Sequence, residues 1–370
     1  LVVVPAGLGR RLEQGNPAEK LDVVLSTSRL DAVVEQAAAD LTLTVQAGAT
    51  LSAVNETLRP SGQWLPFDPP HAAETTIGGL IAANASGPSR QAFGTVREWL
   101  LGVRCVLAGG TAVKSGGRVV KNVAGYDLHK LLVGSFGTLA VIVEATFKLR
   151  PLAEESSTLT FSLPEIGRLL ALAARVADSV LGPQWVELVL GPDRPPLLAV
   201  GFGGLAEEVR DATARAARAA SELGVPEAAE PIDEPLLRRA GDEVAARSAK
   251  TAIIRAGTRR SDFAAWLRGA LDDFGKCAAR VSAVVHAGIG VARFRLDDAE
   301  PKPLAAILAG LRSKAIAGGG YLVVEHAPPL WKSELDVWGP APASLALLRG
   351  IKTAFDPGRV LSPGRFIGGI

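Results

Sequence analysis

The chain has 370 residues, past the length at which a single core stops growing, so two domains are expected. With 40 Lys+Arg against 38 Asp+Glu the net charge is +2, and no basic run is interleaved with aromatics, which argues against a nucleic-acid partner. The 48% hydrophobic content is swollen by alanine, and no run reaches the roughly 20 apolar residues that cross a bilayer, so the chain reads as cytoplasmic, reaching the inner membrane only through partners.

The sequence opens on "LVVVPAGLGRRLEQG", already inside an apolar strand and without Met, so upstream residues are expected to be missing. Up to about residue 150, "LVVV", "LDVVLS", "LTLTVQAGATL", "VRCVLAGGTAV" and "TLAVIVEATFKL" read as strands. "SRLDAVVEQAAAD" and "TLSAVNETLRPSG" read as helices, the second stopped by Pro60 and Gly62. Between them and the later strands, "TTIGGLIAANASGPSRQAFGT" holds four glycines and one charge, Arg90. It suits neither a helix nor a strand, and its glycines suit main chain approached closely by something large and polar.

After Pro151 longer helices alternate with strands: "PEIGRLLALAARVADSVLG", "QWVELVL", "LLAVGFGG", "AEEVRDATARAARAASELG", "TAIIRAG", "SDFAAWLRGALDDFG", "RVSAVVHAG", "VARFRL", "KPLAAILAGLRSKAIAG" and "YLVVEHA". Two successive strand and helix sets of this kind predict an antiparallel sheet with helices on one face. The fold class is therefore α+β, with a first domain over 1–150, a second over 151–330 and a terminal segment over 331–370. That segment carries Phe355, Val360, Leu361, Phe366 and Ile367, too apolar for a loose end, and is expected to dock back on the first domain. Cys105 and Cys277 lack metal-type spacing and read as reduced core residues.

"VVVPAGLGRR" places Pro5, Gly7 and Gly9 directly after a strand, a turn whose N–H groups can form an anion nest, with Arg10 or Arg11 adding charge. By itself the pattern fits an ordinary turn better than a phosphate site. "GLGRRL" lacks the third Gly of G-x-G-x-x-G, and Lys114 in "GGTAVKSGG" does not follow a Gly at P-loop spacing, so the standard nucleotide motifs are absent.

Taken together, "VPAGLGRRLEQG", "LPFDPPHAAETTIGGLIAANASGPSRQAFGT", "VKNVAGYDLHKLLVGSFGTLAVIVEATFKL" and the later "LDVWG" and "FDPGRVLSPGRFIGGI" resemble the FAD-binding superfamily of the vanillyl-alcohol oxidase and p-cresol methylhydroxylase type, and within it the family of glycolate oxidase FAD-binding subunits of the E type. The resemblance implies a two-subdomain FAD-binding domain followed by a cap domain. It implies that Pro5, Ala6, Gly7, Leu8, Gly9 and Arg10, then Pro69 and Pro70, meet the cofactor. It also implies that Thr75, Thr76, Ile77, Gly78 and Gly79 offer backbone N–H groups to FAD, with Asn84, Ser86, Gly87, Val141 and Ile142 beyond them. Relatives that bind flavin covalently do so through a His in the first glycine loop; here Leu8, Gly9 and Arg10 stand there, and the first His is His71. Noncovalent FAD is expected.

Larger relatives carry H-x-G-D-G-N-x-H and E-H-G-x-G in the substrate domain. "HAGIGVAR" keeps His286, Gly288 and Gly290 but has Ile289, Val291 and Arg293 at the Asp, Asn and second His; "VVEHAPP" keeps Glu325 and His326 without the glycines. A metal site needs about three protein ligands. His286 and Glu325 are too few, and Arg293 would repel a cation and pair with a carboxylate. No metal is expected, and local hydrogen bonding of both histidines is an equal reading. In "KNVAGYDLHKL", Lys121, Asn122, Tyr126 and Asp127 match positions near the flavin, with a core Tyr126 as the even alternative. The catalytic candidates are Tyr126, His286, Arg293, Glu325 and His326. The resemblance implies the FAD subunit of a glycolate or D-lactate oxidising complex, with a small 2-hydroxy acid as substrate and a larger paralogous FAD subunit and an iron–sulfur subunit as partners. A flavin-bearing structural or electron-relay subunit with a decayed substrate site is the alternative.

Overall fold

Valine-rich tetrapeptides bounded by turns make the first two strands, β1 (Val3–Ala6) and β2 (Val23–Ser26), which pair in parallel. The computed structural model describes residues 1–117, 125–228 and 234–370. In chain order there follow β3 (Val33–Ala37), β4 (Thr42–Gln46), α1 (Leu51–Leu58), β5 (Gln63–Trp64), α2 (Ile77–Ala83), α3 (Arg90–Phe93), α4 (Val96–Trp99), β6 (Leu100–Val106), β7 (Ala112–Gly116), β8 (Val141–Lys148) and β9 (Arg150–Pro151). An antiparallel sheet runs β3-β4-β8-β6-β7. Its inward side chains, among them Leu43, Val45, Val103, Ala145 and Phe147, pack on Leu51, Val54 and Leu58 of α1 and on Ile77, Leu80 and Ile81 of α2.

Two local expectations are corrected. The helix expected over "SRLDAVVEQAAAD" is the strand β3: Leu41 turns the chain at φ 52 and lets Val33–Ala37 pair with β4, a register that suits the β-branched Val33 and Val34. The glycine-rich stretch contains a true helix, α2, whose N-cap Thr76 accepts from the Gly79 N–H and offsets the poor propensity of Gly78 and Gly79.

The chain divides into two compact units, one of Leu1–Ser86, Gly94–Leu152 and Pro340–Ile370, the other of Gly87–Phe93 and Ala153–Gly339. The second contains β10 (Glu155–Ser162), α5 (Ile166–Ala177), β11 (Trp185–Gly191), β12 (Arg194–Gly204), α6 (Ala206–Glu222), α7 (Glu234–Val244), β13 (Thr251–Gly257), α8 (Arg260–Phe274), β14 (Arg280–His286), β15 (Val291–Asp297), α9 (Pro301–Ala317) and β16 (Tyr321–His326). Seven strands run β10-β12-β11-β14-β15-β13-β16, every pair antiparallel. Strand alternation sends Leu188, Val285, Ile254 and Phe294 into one core with residues of α5, α6, α8 and α9, including Leu169, Val209, Leu267 and Leu308. Burying a ring such as Phe294 contributes about 1.5–3 kcal/mol. The opposite face is covered in part by α7, which sequence reading missed: Leu237, Ala240 and Val244 pack on Trp185, Val189, Leu197 and Val284. The rest of that face carries charge.

In the first unit, α10 (Leu345–Phe355) leads into the tail. The Val3 N–H donates to the Val360 carbonyl at 2.7 Å and the Ser362 N–H to the Val3 carbonyl at 3.0 Å. Buried Lys352 donates from Nζ to Asp356 Oδ2 (2.6 Å) and to the carbonyls of Thr138 (2.7 Å) and Leu361 (2.8 Å).

Candidate functional site

Behind β1 the chain turns through Gly7, Leu8, Gly9 and Arg10, with Gly9 at φ +77. A Cβ on Gly7 would lie 2.2 Å from Thr76 Oγ1, so only glycine lets this loop approach the start of α2. The loop is one wall of an open cleft. Of the predicted cofactor residues, Pro5, Ala6, Gly7, Leu8, Gly9 and Arg10 line it, as do Thr76, Gly78, Gly79, Val141 and Ile142. Pro69, Pro70, Thr75, Ile77, Asn84, Ser86 and Gly87 are not among its lining residues. Thr75 and Ile77 are fully buried, and Gly87 falls in the second unit.

The main-chain donors separate the two glycine segments. The N–H groups of Thr75, Ile77 and Gly78 donate to the carbonyls of Ala72 (3.2 Å), Ala49 (2.9 Å) and Ala47 (2.7 Å), and that of Gly79 to Thr76 Oγ1 (3.2 Å). Of the five expected ligand donors, these four are corrected, because the fold already uses them, and the Thr76 N–H is the one that remains. In the first loop the N–H groups of Gly7, Leu8, Gly9 and Arg10 have no partner among the described residues. Successive unpartnered donors in a turn form an anion nest. Arg10 sits 3.2 Å from Glu74 Oε2 and Arg11 donates to Thr75 Oγ1 at 3.1 Å. At the C-cap of α2, Asn84 has φ 45, and its Oδ1 is buried with no partner among the described residues.

Sequence reading missed Phe136, Gly137 and Arg365 in the cleft wall. Phe136 and Gly137 have φ 53 and 73, and "SFG" was a legible turn signal. Arg365 had none, because its contacts lie hundreds of residues away in sequence.

In the second unit the charged face of the sheet is built by register. Glu187 of β11 stands opposite His286 of β14, and His286 Nδ1 lies 2.7 and 2.8 Å from its two carboxylate oxygens. Glu187 is only 2% exposed and His286 8%. Arg255 of β13 stands opposite Arg293 of β15. Arg293 donates to Glu325 Oε2 (2.7 Å) and Oε1 (3.4 Å), while Arg255 donates to Glu325 Oε1 (3.3 Å) and the Tyr321 hydroxyl (3.1 Å). Burial disfavours the charge on Arg255, but Tyr321 and Glu325 outweigh it and hold the guanidinium above its ordinary pKa. Glu325 lies where the β13–β16 register shifts, and His326 Nε2 is 3.4 Å from the Ser248 carbonyl. Arg293 thus has an internal carboxylate rather than an open hand for a substrate. Glu187 and Arg255 were missed; a Glu inside the apolar "QWVELVL" was the available signal.

Tyr126 is 91% exposed and does not line the cleft, which overturns the core alternative and leaves its hydroxyl in solvent. Lys121 and Asn122 lie outside the described residues. Among the described residues no three His, Cys, Asp or Glu side chains are arranged to hold a metal ion. Cys105 and Cys277 are buried free thiols, and no described helix is long and apolar enough to cross a membrane.

A family model described as FAD binding domain matches residues 1–116, and one described as FAD linked oxidases, C-terminal domain, matches residues 179–366. Glycolate oxidase subunit GlcD of Bacillus subtilis (strain 168) is 28% identical over 98% of this chain and 83% of its own length. A D-lactate dehydrogenase of Archaeoglobus fulgidus is 30% identical over 98% of this chain and 85% of its own length. The solved structure of an alkyldihydroxyacetonephosphate synthase superposes with a TM-score of 0.74 over 98% of this chain and 71% of that one, at 17% identity, a likeness of fold. The residues fit FAD: an anion nest, a glycine held against α2 and small lining side chains suit close approach of a diphosphate-bearing cofactor.

Proposed function

The chain belongs to the FAD-linked oxidases, and from that premise we propose that it is the FAD-containing subunit of a complex that oxidises a small 2-hydroxy acid, glycolate or D-lactate, and passes electrons to an iron–sulfur partner beside a larger paralogous FAD subunit. The observation that carries the cofactor half is the run of four unpartnered N–H groups at Gly7–Arg10 in the cleft wall. The first loop binds the diphosphate; Thr76, Gly78 and Gly79 form a close-packed floor, and Val141 and Ile142 an apolar side that excludes water. When bound, FAD supplies the acceptor for the two electrons and one proton that leave the hydroxyl-bearing carbon as hydride. Attachment is noncovalent, since no His occupies the first loop.

In the second unit, Glu187 holds His286 through Nδ1, an arrangement that leaves Nε2 as the ring atom suited to accept a proton. The two guanidinium groups of Arg255 and Arg293 share the single carboxylate of Glu325, which favours an anionic substrate over a neutral one. The same pairing favours the second reading, a flavin-bearing relay subunit, because it leaves neither Arg293 nor Glu325 available as the family's substrate motif would need. Adding glycolate or D-lactate anaerobically to the purified chain separates the two: bleaching of the flavin band is expected from the first, an unchanged spectrum from the second. Acid precipitation should leave all flavin in the supernatant. Co-expression with the two partners should give a hetero-oligomer on size exclusion, and a monomer that turns over glycolate rapidly would overturn the complex.

A further inference from the structure

The C-terminal tail supplies a cleft residue that reaches the first-loop side and the Phe136 turn at once. Arg365, only 5% exposed, donates from Nε to the Gln14 carbonyl at 3.1 Å and from Nη2 to the Arg11 carbonyl, both just beyond the unpartnered loop. From Nη1 it donates to the carbonyl of Phe136, another lining residue, at 3.1 Å, and its guanidinium lies 5.9 Å from the Phe136 ring centroid. Phe366 stacks on the same ring, centroids 5.8 Å apart.

A left-handed Phe136 is uncommon and persists only where its surroundings hold it. Two buried cations do so: Arg365 of the tail at the Phe136 carbonyl and Lys352 of α10 at the Thr138 carbonyl. The Asn16 N–H donates to the Arg365 carbonyl and the Glu19 N–H to the Pro363 carbonyl, tying the first-loop side to the same segment. The docked tail thus bridges the first-loop side and the Phe136 turn.

We infer that Arg365 is a positioning residue for the cofactor, and that FAD binding and docking of residues 360–366 are coupled. The inference rests on FAD occupying this cleft. By linkage, if docking of the tail changes FAD affinity, bound FAD must hold the tail by the same factor. Lysine cannot replace the guanidinium, since a compact ammonium on a flexible stem does not hold three carbonyls in a planar fork.

The test is fluorescence titration of apoprotein with FAD, alongside hydrogen exchange of wild type with and without FAD. Arg365→Gln and Arg365→Lys should each weaken FAD about tenfold or more, whereas Arg359→Gln, an exposed tail residue paired with Glu19, should stay within about twofold. FAD should slow exchange of amides 360–366 in wild type, and much less in either Arg365 variant. Should Arg365→Gln fail to fold, the wild-type exchange decides: unchanged protection of 360–366 on FAD binding overturns the coupling. FAD affinity equal to wild type in both Arg365 variants also overturns it. A wild-type chain that takes no FAD would instead remove the cleft assignment.

Discussion

Two glycine-rich segments face one cleft, and they use their glycines in opposite ways. In Gly7–Arg10 the glycines permit a close approach and leave main-chain donors open. In Thr75–Gly79 they let α2 pack against its own fold, Gly78 against Ala47, and the donors of Thr75, Ile77, Gly78 and Gly79 are consumed. Glycine content alone does not say which use applies. Accounting for each N–H does.

The largest expected effect tests the open segment. Gly7→Val forces its side chain into Thr76, the N-cap of α2, and should weaken FAD by about a hundredfold or more, since it displaces the nest or the cap. Near-native affinity in a titration would break the comparison. Gly78→Val should act through stability instead: its Cβ would meet Ala47 Cβ at 3.1 Å and the Ala47 carbonyl at 3.2 Å, and overpacking of this kind costs about 1–3 kcal/mol. A denaturant midpoint that drops with little loss of FAD affinity per folded molecule is expected. Gly9→Ala has room, with only Leu12 Cδ1 near at 3.5 Å, but keeps φ +77; the left-handed penalty of about 1–2 kcal/mol should appear as a modest loss of FAD affinity.

Acid gives the smallest and most local discrimination. Burial raises the Asp356 pKa, but Lys352 and the Leu361 and Val360 N–H groups outweigh it and hold the carboxyl below its unfolded value of 3.8. A depressed carboxyl contributes stability in full above the unfolded value and loses it as pH falls through the folded one. Leu361 bridges to Val3 of β1, so below that value hydrogen exchange should quicken first at the tail and β1, with Thr75–Gly79 still protected. Simultaneous loss of protection in both segments would remove the distinction.

Much of the second unit was legible because its strands and helices carry strong local periodicity: β11, β12, β14, β15 and α5, α6, α8, α9 follow the apolar spacing of the sequence. The failures lie where local signal is weak or contradicted. The segment of β3 has helical-looking spacing, and its partner strand decides its state. α7 follows a Pro-rich stretch, and its apolar residues make sense only against the outer sheet face.

The sequence by itself determined the family, the cofactor and most elements of the second unit, because these rest on residue types and spacings that act locally: a motif, an apolar period, a breaker. Tertiary structure alone decided which main-chain donors remain open, since a partner such as the Ala47 or Ala49 carbonyl is fixed only when distant strands pair. It also decided that Glu187 holds His286, that Glu325 holds Arg293 and Arg255, and that Arg365 reaches the carbonyls of Arg11, Gln14 and Phe136. Those pairings join residues far apart in the chain, and charge and hydrogen-bond complementarity at such separation leaves no periodic trace for a sequence to carry.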